Sequence, residues 1–260
     1  MQLLAMHVPD GFIDAPVSLF AFVLAAAVLG VAVVRSRAAL DDRTAPLAGL
    51  TAVFIFAAQM INFPVAAGTS GHLLGGALAA ILVGPWAGML VVTVVLVVQA
   101  LLFADGGLTA LGINVLNMAV VTAVVGWLVF RLGVRFVKTP KGAALVAGVA
   151  AFLSVPASAL AFVAEYALGG TAPVSLAAVA AAMGGVHVLI GIGEGIITGL
   201  VVAAVLASRP DIVAGVQGTA LARPVRRRKR CRWNTRATPW RSDSMSAISS
   251  MYWACSVASR

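Results

Sequence analysis

Charged side chains are scarce in this chain, and cysteine and histidine are scarcer still. Only 10% of its 260 residues are charged, against roughly 25% in a soluble domain. That deficit excludes a water-soluble globule of this length. The two cysteines, Cys231 and Cys255, both fall within the last 30 residues, so no disulfide framework can organise the body. There is no GxxxxGK[ST] phosphate loop, and the chain therefore has no ATPase site of its own. The three histidines, His7, His72 and His187, lie far apart in sequence, which excludes the HExxH pairing of an intramembrane metalloenzyme. The opening "MQLLA" has no basic flank, and Asp10 and Asp14 precede the first apolar run. A signal peptide does not look like this.

What the chain does have is apolar length: 61% of its residues are hydrophobic. Apolar runs separated by charged or Pro/Gly-rich breaks predict seven helices, over about 16–34, 46–63, 71–84, 86–104, 111–130, 142–168 and 176–207. A span needs roughly 17–25 residues, so the expectation is an all-α integral membrane protein with seven transmembrane helices. The third, "GHLLGGALAAILVG", is short and is expected to begin inside the protein, with the loop before it folded inward. Gly184-Gly185 predict a bend in the seventh.

The net charge of +9 is unevenly placed. Residues 1–210 hold eight Lys/Arg and seven Asp/Glu, while 211–260 hold ten and two. The basic character belongs to the tail and gives no reason to expect a nucleic-acid partner. Within the body, Arg35, Arg37 and Arg43 fall between the first two spans, and Arg131, Arg135, Lys138 and Lys141 between the fifth and sixth. Arg209 and the tail follow the seventh. With an odd number of spans all of them lie on one side, which predicts the N-terminus outside and the C-terminus in the cytoplasm.

That orientation gathers the unusual residues outside. His7 precedes the first span, His72 opens the third, and His187 lies in the outer half of the seventh. Asp10, Asp14 and Asp105 share the face, with Glu165 close to it, and a surface with acids, histidines and no basic residue attracts divalent cations. A histidine at a helix end is commonly a packed or hydrogen-bonded residue. Three from distant segments at one depth point to function instead. Asn114 and Asn117 in "GINVLNM" sit one turn apart, either bonding across helices or orienting a ligand histidine. Gly191, Gly195 and Gly199 repeat at four-residue spacing as a close-packing face. Glu194, on the neighbouring turn, needs an amide or hydroxyl partner and reads as structural before metal-binding.

Four segments, "MHVPDGF", "INFPVAAGTSGHLLGGALAAILVGPWAG", "VQALLFADGGLTALGINVLNM" and "GIGEGIITG", resemble in order the CbiM/NikM family. These are the substrate-binding membrane components of energy-coupling-factor importers for cobalt and nickel. The resemblance runs from Met6 to about Arg209. It implies a seven-helix domain in the cell membrane, such as the inner membrane of a bacterium, that captures Co2+ or Ni2+ as substrate for cobalamin biosynthesis or nickel enzymes, with no cofactor of its own. It also implies partners: a transmembrane coupling protein, two ATPase subunits and a small accessory membrane subunit. In the family the Met-His pair starts the chain, so the resemblance places the metal on Met6, which supplies the amine, on His7, which supplies amide and imidazole, and on His72. A plane of four nitrogens suits Ni(II), and Co(II) accepts the same ligand types. His187, Asn114, Asn117 and Glu194 are the lower-ranking candidates.

Two features depart from the family pattern. "MQLLA" precedes Met6 and would leave it without a free amine, so residues 1–5 are expected to be a non-native extension and the mature chain to begin at Met6. The stretch 211–260 has neither helical period nor core pattern and is expected to be a disordered cytoplasmic tail, its basic residues suited to anionic lipid, leaving 6–210 as the metal-binding domain. Ala48 and Ala52 carry small-xxx-small spacing at the cytoplasmic end of the second helix, read first as internal packing and second as a docking patch. A stand-alone channel is the rival reading, but it needs weak serial sites where a chelate binds tightly.

Overall fold

The computed structural model describes residues 7–37, 44–61, 63–66 and 69–222, all within one compact unit that ends at Arg223. Helix α1 (Ala15–Ser36) starts where the Asp14 carboxylate accepts the Val17 N–H at 2.9 Å, with proline in its first turn. Such a cap satisfies one of the amides that a helix start leaves unpaired. Its buried seam is small, running through Ser18, Ala21, Ala25 and Ala32, while Leu19, Phe20 and Val23 face outward. Helix α2 (Thr44–Met60) buries one stripe at four-residue spacing, Thr51, Ile55 and Gln59.

Between α2 and the next helix the backbone leaves helical geometry. Strand β1 (Phe63–Ala66) pairs antiparallel with β2 (Thr69–Gly71), Phe63 opposite Gly71, with a bulge between Pro64 and Ala66. Apart from this short hairpin the regular structure among the described residues is helical, as expected of an all-α fold. Helix α3 covers only Gly76–Val83, and all eight of its residues are buried. At 1.5 Å per residue it is about 12 Å long, well under the roughly 30 Å of a bilayer core. The third predicted span is therefore not a transmembrane helix but a short helix in the middle of the bundle, entered by irregular chain. Gly84, with φ +91°, turns directly into α4 (Pro85–Leu102). Gly88 lets α4 close on α3: a Cβ there would stand 2.7 Å from the Ala80 nitrogen.

Helix α5 (Leu111–Phe136) is continuous but not uniform, since Val115–Val121 is wound as a π-helix. It touches α1 closely at Gly112, where a Cβ would lie 2.4 Å from Phe22 Cα. Helix α6 (Pro140–Gly169) is capped by the Thr139 hydroxyl, which accepts the Gly142 N–H at 3.1 Å, and carries Pro156 inside it. Helix α7 (Leu176–Ser208) is capped by Ser175 and runs as one element through Gly184-Gly185. The glycine ridge packs on α6: Cβ atoms at Gly191, Gly195 and Gly199 would stand 3.0, 2.8 and 3.2 Å from the carbonyl oxygens of Phe152, Gly148 and Ala144.

Five of these helices, α1, α4, α5, α6 and α7, are long and apolar enough to cross a membrane, and α2 is a shorter apolar helix of 17 residues. Beyond α7 the chain makes three 3-10 turns, Pro210–Ile212, Ala214–Val216 and Ala220–Ala222. Val213 and Val216 are fully buried, and the Arg131 guanidinium donates to the carbonyls of Gly215 and Gln217 at 3.0 and 2.9 Å. The folded part thus continues past residue 210 to about 222, because "IVAGV" buries its apolar side chains without any helical period. The expectations for 1–5 and for the remainder of the tail lie outside the described residues.

Candidate metal centre

The segment His7–Asp14 lies across one end of the bundle, fastened along its whole length. Val8 exchanges two hydrogen bonds with Asn114: its N–H donates to Oδ1 at 2.9 Å, and Nδ2 donates to its carbonyl at 3.3 Å. The Gly107 N–H reaches the same carbonyl at 3.0 Å. Farther along, the Thr171 hydroxyl donates to the Gly11 carbonyl at 2.6 Å, and the Asp14 N–H donates to the Gly169 carbonyl at 2.7 Å. Phe12 seats its ring beside Phe162 and Tyr166, with centroids 6.0 and 5.5 Å away.

Two acids that the sequence suggested as cation attractors have protein partners instead. Asp10 accepts the hydroxyl and the N–H of Thr109, the latter at 2.7 Å. The Thr109 hydroxyl bond, then the backbone bond, hold its carboxyl below the usual carboxylate range. Asp14 caps α1. Asp105 behaves differently: its Oδ1 lies 3.0 Å from His7 Nδ1, and this contact holds its carboxyl below the usual range against the opposing effect of burial.

His7 and His72 meet. Their ring centroids are 5.1 Å apart with planes inclined at 52°, and the two residues are only 2% and 4% exposed. His72 Nδ1 is 2.7 Å from the Leu73 carbonyl. A carbonyl can only accept, so this nitrogen carries the proton and Nε2 presents a lone pair. Neither His7 Nε2 nor His72 Nε2 has a hydrogen-bond partner. Buried polar atoms are almost always paired, and two unpaired imidazole nitrogens on facing rings suit a cation that accepts nitrogen donors. Met6, the remaining primary candidate, lies outside the described residues. Among the described residues no group of three or more His, Cys, Asp or Glu is placed to hold a metal.

The chain around His72 is gripped from two helices. Glu194, fully buried on α7, accepts the Leu74 and Gly75 N–H groups at 2.7 and 2.8 Å, one on each carboxylate oxygen. Gln59 of α2 donates to the Leu74 carbonyl at 2.8 Å. The expectation of an amide partner for Glu194 is met by backbone amides just ahead of α3, where a carboxylate also complements the positive end of the helix. Gln59 went unnoticed in the sequence; a glutamine on an otherwise apolar stripe was its available signal. Asn114 and Asn117 both bond to segments distant in the chain, and both line one cavity. Asn114 holds Val8, next to His7, while Asn117 Nδ2 donates to Glu165 Oε2 at 2.6 Å. His187 is set back on α7, its Nδ1 2.8 Å from the Met183 carbonyl. It borders a cavity of about 50 Å³ that His72 also lines.

The "DGG" turn after α4 is the other feature that sequence reading passed over. Gly106 has φ +101°, and a Cβ there would lie 2.8 Å from His7 Cβ. Gly106→Ala is thus strained in its backbone and pushes His7 away from His72. Its expected effect is a loss of metal affinity of about tenfold or more, the scale on which orienting groups act, measured by equilibrium binding. Unchanged affinity would show that the close approach does not position His7.

Comparison with known proteins places the geometry in context. The family model described as CbiM, cobalt uptake substrate-specific transmembrane region, matches residues 7–212. An Archaeoglobus fulgidus protein, named a candidate fused nickel transport protein NikMN, is 42% identical over 80% of this chain and 68% of its own length. The cobalt transport protein CbiM of Sorangium cellulosum is 35% identical over 84% of this chain and 98% of its own. The crystal structure of a truncated transition metal transporter superposes with a TM-score of 0.71 at 33% identity, covering 78% of this chain and 99% of that one.

Proposed function

We propose, from the premise that this chain belongs to the CbiM family of cobalt uptake transmembrane regions, that it is the substrate-capture component of an energy-coupling-factor importer for Co2+ or Ni2+. It is a multi-pass protein of the cell membrane. The observation that carries the reading is the pair of buried, facing imidazoles of His7 and His72, each with an unpartnered Nε2. Two imidazoles alone make a weak site. A free amine on Met6, the deprotonated amide of His7 and His7 Nδ1, the ring nitrogen that closes a chelate with its own amide once it leaves Asp105, would join His72 Nε2 as four nitrogen donors, a tetragonal set that favours Ni(II) and accommodates Co(II). The supports described above serve this arrangement: Asn114 and Gly107 hold Val8, and Glu194 and Gln59 hold the chain beyond His72.

In this reading the metal end faces outward and the end bearing Arg131 and the 3-10 turns faces the cytoplasm, as the basic residues argue. The chain crosses seven times, with the irregular stretch before α3 and α3 itself together making one crossing. ATP hydrolysis belongs to partners, namely two ATPase subunits acting through a transmembrane coupling protein, with a small accessory membrane subunit. The test is intact-mass measurement of transport-competent protein together with metal analysis. The expected chain begins at Met6 and carries one Co2+ or Ni2+. A competent chain that retains "MQLLA" would remove the amine from the ligand set, and one that takes up neither ion would end the capture reading.

A further inference from the structure

The cavity behind His72 borders the capture residues, since Val8, Leu74 and Asn114 also line it, but the capture reading gives it no role. It lies between α5, α6 and α7, with His72, His187, Asn117, Met118, Met183 and Phe162 among its walls. A void of about 50 Å³ walled only by apolar groups would be a packing gap, but this wall is not apolar. Asn117 is 5% exposed; its Nδ2 is bonded to Glu165, and its Oδ1 has no hydrogen-bond partner. An unpaired buried carbonyl oxygen calls for a ligand or another explanation. His187 gives its Nδ1 proton to the Met183 carbonyl, so Nε2 carries the lone pair, as in His72. The half-buried Glu165 carboxylate stands behind the amide, and two methionines add soft donors.

We propose that this cavity is a second, weaker site for the same divalent transition-metal ion, with His187 Nε2 and Asn117 Oδ1 as its donors; His72, whose one lone pair belongs to the outer pair, only borders it. The proposal rests on the capture reading. Imidazole and thioether donors select borderline transition ions over Mg2+ or Ca2+. Neither a thiolate nor a carboxylate is among the cavity's walls, which keeps the site weak. Weakness is what a hand-over requires: an ion leaving a chelate needs donors within reach, and a second chelate would trap it. Asn117 lies within the π-helical stretch Val115–Val121, and such winding is frequent at functional positions.

The test uses the full purified chain and CoCl2 alone, with equilibrium dialysis, metal analysis and the visible spectrum of bound Co2+. Wild type is expected to bind one ion tightly and a second more weakly, each with its own absorption. His187→Ala and Asn117→Leu should each keep the tight ion, which reports that the fold survives, and lose the second ion with its absorption. In vesicles with the transport partners, uptake should fall about tenfold or more. Saturation of wild type at one ion, or retention of the second ion by both variants, overturns the proposal while leaving capture intact. Loss of both ions in the variants assigns these residues to the outer site and also overturns it. If wild type binds no ion at all, the capture reading has failed, and the missing tight ion distinguishes that result.

Discussion

His72→Ala is expected to give a chain that folds and inserts but retains neither cobalt nor nickel. The imidazole makes one hydrogen bond, to the Leu73 carbonyl of the next residue, and the chain beyond it is held by Glu194 and Gln59 rather than by the ring. Truncation therefore costs local packing but removes no tertiary hydrogen bond from the bundle. It does remove one of the two unpartnered imidazole nitrogens of the adjacent rings. Groups that only orient a ligand are worth about 10–100-fold in affinity, so loss of the ligand itself should exceed about 100-fold. His7→Ala should match it, since each ring needs the other. Metal content of purified protein, read beside its elution as a folded species, checks both. Full retention by either variant would take that histidine out of the ligand set.

The largest effect on stability should come from Glu194→Ala. Its carboxylate is fully buried and pairs both oxygens with backbone N–H groups. Truncation leaves the Leu74 and Gly75 amides without partners inside an apolar bundle, at about 1–3 kcal/mol each, and opens a cavity besides. The total is roughly 3–6 kcal/mol, enough to deplete the folded protein. Glu194→Gln keeps the volume and one acceptor and should fall between the two. Thermal unfolding in detergent orders the three. Because the same contacts set the position of His72, metal affinity should fall in the same order. A stable Glu194→Ala protein with wild-type affinity would mean that other contacts hold the entry to α3.

The long helices were legible because each is an apolar run bounded by charge, proline or glycine, and the glycine ridge of α7 announced a close helix contact that proved to be α6. The need of Glu194 for an amide could also be foreseen, since a carboxylate cannot lie alone at that depth. What the sequence hid was set by partners far away in the chain. The roles of Asp10 and Asp14 depend on Thr109 and on the start of α1, so both looked like free surface acids. Asn114 and Asn117 do share a face, both lining one cavity, but their partners Val8 and Glu165 lie far off in the chain. The shortness of α3 was visible as a short run, but the hairpin before it was not, because "NFPVAAGTSG" has no alternation to mark a strand. The turns after residue 210 bury valines without any repeat, and a periodic reading discards such segments.

The corner at Gly84 has a mechanical consequence. One residue joins α3 to α4, and Gly88 seats α4 against Ala80, so the two helices form a stiff wedge with no slack at its tip. The tip borders the turn at Ala214, while the opposite end of α3 leads straight to His72. In the capture reading, a movement of the tip would be felt first at the chain that carries that imidazole.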